Sequence, residues 1–284
     1  MSQSAEPPVE LRRLFRDFDP GCRTLPVPLP PGRAVAGDEG ADEHPALWLS
    51  DGPAAPGLWP SLRSGHSECG LWPLLLDSYQ RDARRPWDDG ELWPEAMSSP
   101  AEHDPGELLA AWWASHTSTD DEDDQLSAAE RIAVTAPYGQ EWPGLAGAMR
   151  CRVDPDEHAD HSAAEMLRDK PGLRLGLVAA DRGSDALTVA GWQGAVNYVN
   201  DTAELSAVLR SWEDRFGARL IGVGFAELYL SVAALPSDRA EATRVAAEHF
   251  AFCPDNVWQA GRAHTLTAYA ERLMNAPIWS FWWD

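Results

Sequence analysis

His249 and Cys253 stand one helical turn apart, with Asp255 and Asn256 just beyond them. A thiol next to an imidazole is the smallest arrangement that gives a thiolate nucleophile and its base. With a third donor such as His264, the same pair would suit a soft metal ion. Both residues also fall on a helical apolar stripe of Ala242, Val245, Ala246, His249, Phe250 and Cys253. A buried thiol beside a satisfied histidine is the ordinary result of that placement. The structural reading outweighs the chemical ones, no residue is assigned as catalytic, and no metal or cofactor is expected.

The string GWQGAVNY at 191–198 is the second candidate. It places Trp192, Asn197 and Tyr198 among glycines just before a helix start, where backbone N–H groups can receive an anion. The competing reading is a plain structural turn. A third stretch imitates a calcium loop: Asp154, Asp156, His158, Asp160 and Glu165 occupy ligand positions of the twelve-residue template. The sixth position, which needs glycine, is Ala159, and His158 is a poor ligand for a hard cation. A helix accounts better for the same residues, with Asp154 as N-cap, Pro155 at the first position and Arg168 and Lys170 in the last turn. His158, His161 and Glu165 then share an exposed polar face.

The elements that would hold these groups follow from periodicity. Leu173, Leu175 and Leu177 alternate as in a half-buried strand. Asp201 caps a helix whose stripe is Leu205, Val208, Leu209, Trp212 and Phe216, stopped by Gly217. Two strands joined by a tight turn follow at 219–225 and 227–233, then a helix ending near Phe252, a third helix capped by Thr265, and a closing aromatic strand at 278–284. The order reads βαββαβ, which implies an α+β, ferredoxin-like antiparallel sheet with helices on one face. Upstream, a short helix is expected at 11–18, a strand at 46–50 and a helix at 108–115. Trp-Pro pairs at 59–60, 72–73, 93–94 and 142–143 are expected to pin aromatics at strand edges or in loops. The chain thus divides into a Trp/Pro-rich mixed α/β region at 1–148, a connecting helix at 149–172 and an α+β domain at 173–284.

Composition narrows the function classes. The chain has 284 residues, 14 of them Trp, and a net charge of −22. Residues 1–172 carry 32 acidic against 14 basic residues, a net of −18, whereas 173–284 carry 13 against 9, a net of −4. Such a field disfavours nucleic acid and anionic membranes and suits a basic partner or simply solubility, a solvated acidic surface being the commoner case. Five consecutive acids at 120–124 read as a solvated loop. The four cysteines form no CxxC pair, which fits free thiols in a reducing compartment, and a cytoplasmic location is expected. No apolar run is long enough to span a bilayer. The common nucleotide, hydrolase and zinc-protease signatures are absent.

Four strings occur in order along the second half: GWQGAVNYVNDTAELSAVLRSWEDRFGARLIGVGF, AAEHFAFCPDNVWQ, TLTAYAERL and WSFWWD. Together they resemble the bacterial family catalogued as domain of unknown function 4253. Upstream strings such as PALWLSDGPAAPGLWPSL and HDPGELLAAWW resemble the region preceding that domain in actinobacterial members. The resemblance implies a shared fold and carries no activity, cofactor or catalytic residue. It places His249, Cys253, Asp255, Asn256 and Trp258 in a family-typical block.

Two functional readings follow. The first is a protein–protein interaction or regulatory module, including immunity-like roles, with an acidic or aromatic surface facing a protein partner. The alternative is an enzyme or small-ligand protein with a pocket near His249, Cys253, Asp255 and the 192–198 loop. The second requires those groups to meet at one open concavity; the balance leans away from an enzyme.

Overall fold

The computed structural model describes residues 9–15, 24–38, 44–119, 127–259 and 265–284. Its elements, in chain order, are α1 (Val9–Arg12), β1 (Gly32–Val35), β2 (Leu47–Pro53), α2 (Leu58–Ser64), α3 (His66–Cys69), β3 (Trp72–Leu76), α4 (Pro105–Thr117), α5 (Ala128–Val134) and α6 (Pro155–Asp169). They continue with β4 (Arg174–Val178), α7 (Ala186–Ala190), α8 (Thr202–Phe216), β5 (Ala218–Val223), β6 (Glu227–Val232), α9 (Arg239–Phe252), α10 (Asp255–Trp258), α11 (Leu266–Leu273) and β7 (Ile278–Trp282). The acidic run at 120–124, His264 and Phe18 lie outside the described residues.

Helix starts follow the caps read from the sequence. Asp154 accepts from the N–H groups of Asp156 and Glu157 at the head of α6, so the calcium-like string is a helix. Asp201 accepts from Ala203 N–H, and Gly217, at φ 61°, ends α8 in the left-handed conformation glycine tolerates.

The strands form one mixed sheet in the order β1-β2-β4-β3-β5-β6-β7. Every neighbouring pair is antiparallel except β3 and β5, which run parallel. The α+β class therefore stands, and the ferredoxin-like topology does not. β3, from the upstream region, lies between β4 and β5. It pairs antiparallel with one and parallel with the other, so β4 and β5 point in opposite directions. Strand, helix and strand here cannot form the parallel crossover that a split βαβ unit requires.

Alternation along the strands serves two cores. Trp72, Leu74, Leu220, Leu228, Leu230 and Phe281 face one side, where α4, α7, α8, α9 and α11 pack. Leu75, Leu175, Leu177 and Ile221 face the other, beneath α2 and α6. The helices of residues 173–284 do share one face, as expected; the opposite face is covered by upstream helices.

Two of the Trp-Pro pairs depart from the expected edge or loop position. Trp59-Pro60 lies in the first turn of α2, where proline forfeits no helical hydrogen bond. Trp72-Pro73 opens an interior strand. The Trp72 indole donates to Leu220 O at 2.9 Å, and Pro73 O accepts the Trp59 indole at 3.0 Å.

One buried charge ties the upstream chain to the helical layer. Glu248, fully buried in α9, accepts from Arg215 Nη1 and Nη2 at 2.8 and 2.6 Å. It also accepts from Trp212 Nε1 and from the backbone of Ala146, both at 2.7 Å. A carboxylate with four donors is a satisfied buried ion.

Candidate functional site

His249 and Cys253 are sealed in the core, whereas Asp255, Asn256 and Tyr269 border an open cavity of about 350 Å³. His249 is fully buried among the rings of Trp212, Trp279 and Phe281. Its partners can be worked out from the outside inward. Asn256 Oδ1 accepts from Trp282 N–H at 3.3 Å, so Nδ2 is the donor end, giving to Ser280 O at 2.7 Å and to Tyr269 Oη at 3.1 Å. Tyr269 Oη lies 3.0 Å from His249 Nδ1, while the other ring nitrogen, Nε2, meets no hydrogen-bond partner among the described residues. Burial holds the ring neutral and pushes its pKa down to about 3. Burial likewise pushes the Cys253 thiol up, and its sulfur donates to Trp282 O at 3.0 Å. A thiol held protonated cannot serve as a nucleophile at neutral pH. Within the described residues no cluster of three or more His, Cys, Asp or Glu could hold a metal ion.

This network has a structural purpose. β7 ends the strand order, so its outer backbone groups have no strand neighbour. The Asn256 amide supplies one donor and one acceptor to that edge, as a further strand would, and Cys253 takes the next carbonyl. The edge is blocked against pairing with another chain.

Asp255 belongs to a different arrangement. Almost buried, it accepts from Tyr198 Oη at 3.1 Å, from Gln259 Nε2 at 3.2 Å and from Asp284 N–H at 3.1 Å. Asn197 Nδ2 donates to Asp284 O at 2.9 Å. Together these bonds latch the 191–198 loop to the end of β7. Burial first, and then Asp255, raise the Tyr198 pKa. Trp258 lies apart, packed on Phe250 and His116 with the Arg131 guanidinium 5.1 Å above its ring.

The 191–198 loop borders a cleft of about 560 Å³. β3, β5 and β7 all point their carboxyl ends at it, because β3 and β5 are parallel and β7 is antiparallel to β6. From beyond β3 come Arg85, Glu91 and Trp93; from the β5–β6 turn, Phe225 and Ala226; from beyond β7, Trp283 and Asp284; Asp38 completes the wall.

The cleft is held by one backbone bond and one buried indole bond. Trp93 N–H donates to Gly191 O at 2.8 Å, and the buried Trp192 indole donates to Gly224 O at 2.9 Å. A Cβ at Gly191 (φ 65°) would collide with the Trp93-Pro94 backbone, and one at Gly194 with the Trp192 ring. The anion reading of this loop has no support at the α8 N-terminus, whose N–H groups are taken by Asp201 and the Met97 sulfur.

Residues 174–284 match the family model Domain of unknown function (DUF4253). No curated protein and no solved structure matches the chain. The DUF4253 region supplies the loop, the β5–β6 turn, Trp283 and Asp284. Asp38, Arg85, Glu91 and Trp93 come from outside it.

The structure thus brings Trp192 and Asn197 to the cleft and Tyr198 beside it, while His249, Cys253 and Asn256 are taken up in the β7 edge. The sequence reading missed Arg85, Glu91 and Trp93, which sit in a turn-rich stretch without periodicity. It also missed a second grouping, Ser98, His103 and Asp201. Ser98 Oγ lies 2.7 Å from His103 Nε2, and Asp201 Oδ2 lies 3.9 Å from that same nitrogen. A hydrolytic triad needs the carboxylate on the opposite ring nitrogen, and Asp201 already caps α8. No helix among the described residues is long and apolar enough to cross a membrane.

Proposed function

We propose that the protein is a recognition module that engages a protein partner through the cleft beside the 191–198 loop. The observation that carries this reading is the cleft's composition. Five separate stretches of chain converge on it, and among the described residues its lining combines aromatic rings with carboxylates. Rings and carboxylates brought together from separate stretches suit the binding and orienting of a partner segment. Val196 and Tyr198, 46% and 38% exposed, add apolar surface at the rim. Regulatory and immunity-like roles share this requirement for a protein partner. The volume also falls in the range of small-ligand sites, which favours a small molecule as the second reading.

A photo-crosslinking side chain at Val196 tests the proposal against the same group at Ile132, which is equally exposed at 46% but does not line the cleft. In an extract of the native cell, a discrete protein adduct is expected from position 196 and none from 132. Matching adducts at both positions, or none at either, defeats the protein-partner reading. A small-molecule adduct at 196 alone supports the second one.

A further inference from the structure

The charges around the cleft define what kind of partner surface fits it. The lining carries three carboxylates, Asp38, Glu91 and Asp284, against one guanidinium, Arg85. Glu91 is occupied by Arg85, whose Nε donates to Oε1 at 2.5 Å. That bond is the largest cause holding the Arg85 pKa above its ordinary value. Asp38 and Asp284, both exposed, leave the cleft with an excess of negative charge inside a protein whose net charge is −22.

Arg85 also shows how this wall treats a guanidinium. Its Cζ lies 4.9 Å from the centroid of Phe225 and 5.7 Å from that of Tyr79, while its Nε meets Glu91. A ring beneath a cation with a carboxylate at its edge is a strong recognition geometry for arginine. The half-buried ring of Trp93 stands in the same cleft as Asp38 and Asp284. A second set of the same components is thereby offered to an outside cation.

We infer that the cleft receives an arginine-bearing segment of a basic partner protein, with Trp93 under the guanidinium and Asp38 and Asp284 at its edge. This deepens the proposed function and rests on it. Arg85 is the built-in occupant of the neighbouring position, so an incoming guanidinium meets repulsion from it as well as attraction from the acids.

The test is a titration of the full chain with a fluorescein-labelled Arg-Gly repeat peptide, read by anisotropy, beside a Glu-Gly peptide of equal length. Asp38→Asn with Asp284→Asn is expected to weaken the Arg-Gly complex roughly tenfold, in line with the loss of charge pairing at an interface. Glu68→Gln with Glu157→Gln, exposed acids beside the amino ends of β3 and β5 at the opposite end of the sheet, removes the same charge and is expected to leave affinity within about twofold, because distant surface charges are screened. Arg85→Gln is expected to tighten binding, and Trp93→Leu to weaken it. Thermal melts of each variant separate a lost contact from a lost fold. Equal weakening by the two acid pairs, or no binding of the Arg-Gly peptide, overturns the inference. A crosslinked partner at Val196 in either of those cases would leave the cleft as a binding site and remove only its preference for arginine.

Discussion

The His249 block and the 191–198 cleft contain similar ingredients, namely indoles and side-chain amides, yet they put them to opposite uses. In the block, both ends of the Asn256 amide and the Tyr269 hydroxyl are committed to the protein itself. In the cleft, the backbone is tied down by Gly191 and Trp192 while rings and carboxylates face outward. Chemical endowment therefore does not mark a site; uncommitted capacity at a reachable surface does. Substitutions in the buried networks should change stability without changing binding, and substitutions in the cleft should do the reverse.

The largest effect is expected at Glu248. Glu248→Ala leaves Arg215 and the Trp212 and Ala146 N–H groups without their acceptor, at a cost on the order of 3–5 kcal/mol. Urea unfolding measures it, and a loss under about 1 kcal/mol would mean the pair is not a true buried charge. Asn256→Leu comes next. It strips the outer edge of β7, whose Ser280 and Trp282 groups can turn to water, and is expected to cost about 1–3 kcal/mol through the buried Tyr269 hydroxyl left without its donor. Light scattering should rise with it, since the exposed edge can pair between molecules. A variant as stable and as monodisperse as the parent would refute the edge-blocking role.

Acid sensitivity sharpens the contrast further. Burial lowers the His249 pKa from 6.5 to about 3 and that of His116 from 6.5 to about 4. A group whose folded pKa is depressed favours the unfolded chain once protons bind. Its stabilisation is complete above pH 6.5 and drains away as pH falls toward the folded value. His249→Phe is therefore expected to flatten the stability profile between pH 6.5 and 4 by up to about 1.4 kcal/mol per pH unit. An unchanged slope would place the imidazole in contact with solvent. The smallest effect belongs to the cleft. Val196→Ser, at an exposed loop position, should move stability by no more than about 0.5 kcal/mol while reducing peptide affinity.

Legibility in the sequence followed the same division. Caps and stripes located α6, α8, α9, α11, β4 and the β5–β6 hairpin, because local periodicity reports directly on one buried face. α5 escaped, although Ser127 and Glu130 form a full capping box. β3 escaped for a physical reason: WPLLL is buried on both faces, so it shows no alternation, and its proline argued against an interior strand. The residues of the His249 block were legible as a cluster, but their commitment to one another was not, since it depends on Tyr269 and Ser280 arriving from elsewhere in the chain. The charged half of the cleft was invisible for the same reason. Asp38, Arg85, Glu91 and Asp284 share no spacing; strand direction gathers the last three, and a bond from Asp38 N–H to Leu92 O brings in the first.

β3 also bears on what can be cut from this chain. A fragment trimmed to the DUF4253 match at 174–284 would keep β4, β5, β6 and β7 and lose the strand between the first two. β4 would be left alone, β5 would offer a bare edge, and the face covered by α2 and α6 would lie open to water. The stretch that the family model matches is thus smaller than the stretch that closes a hydrophobic core, and any expression or transplantation of this fold has to begin upstream of Trp72.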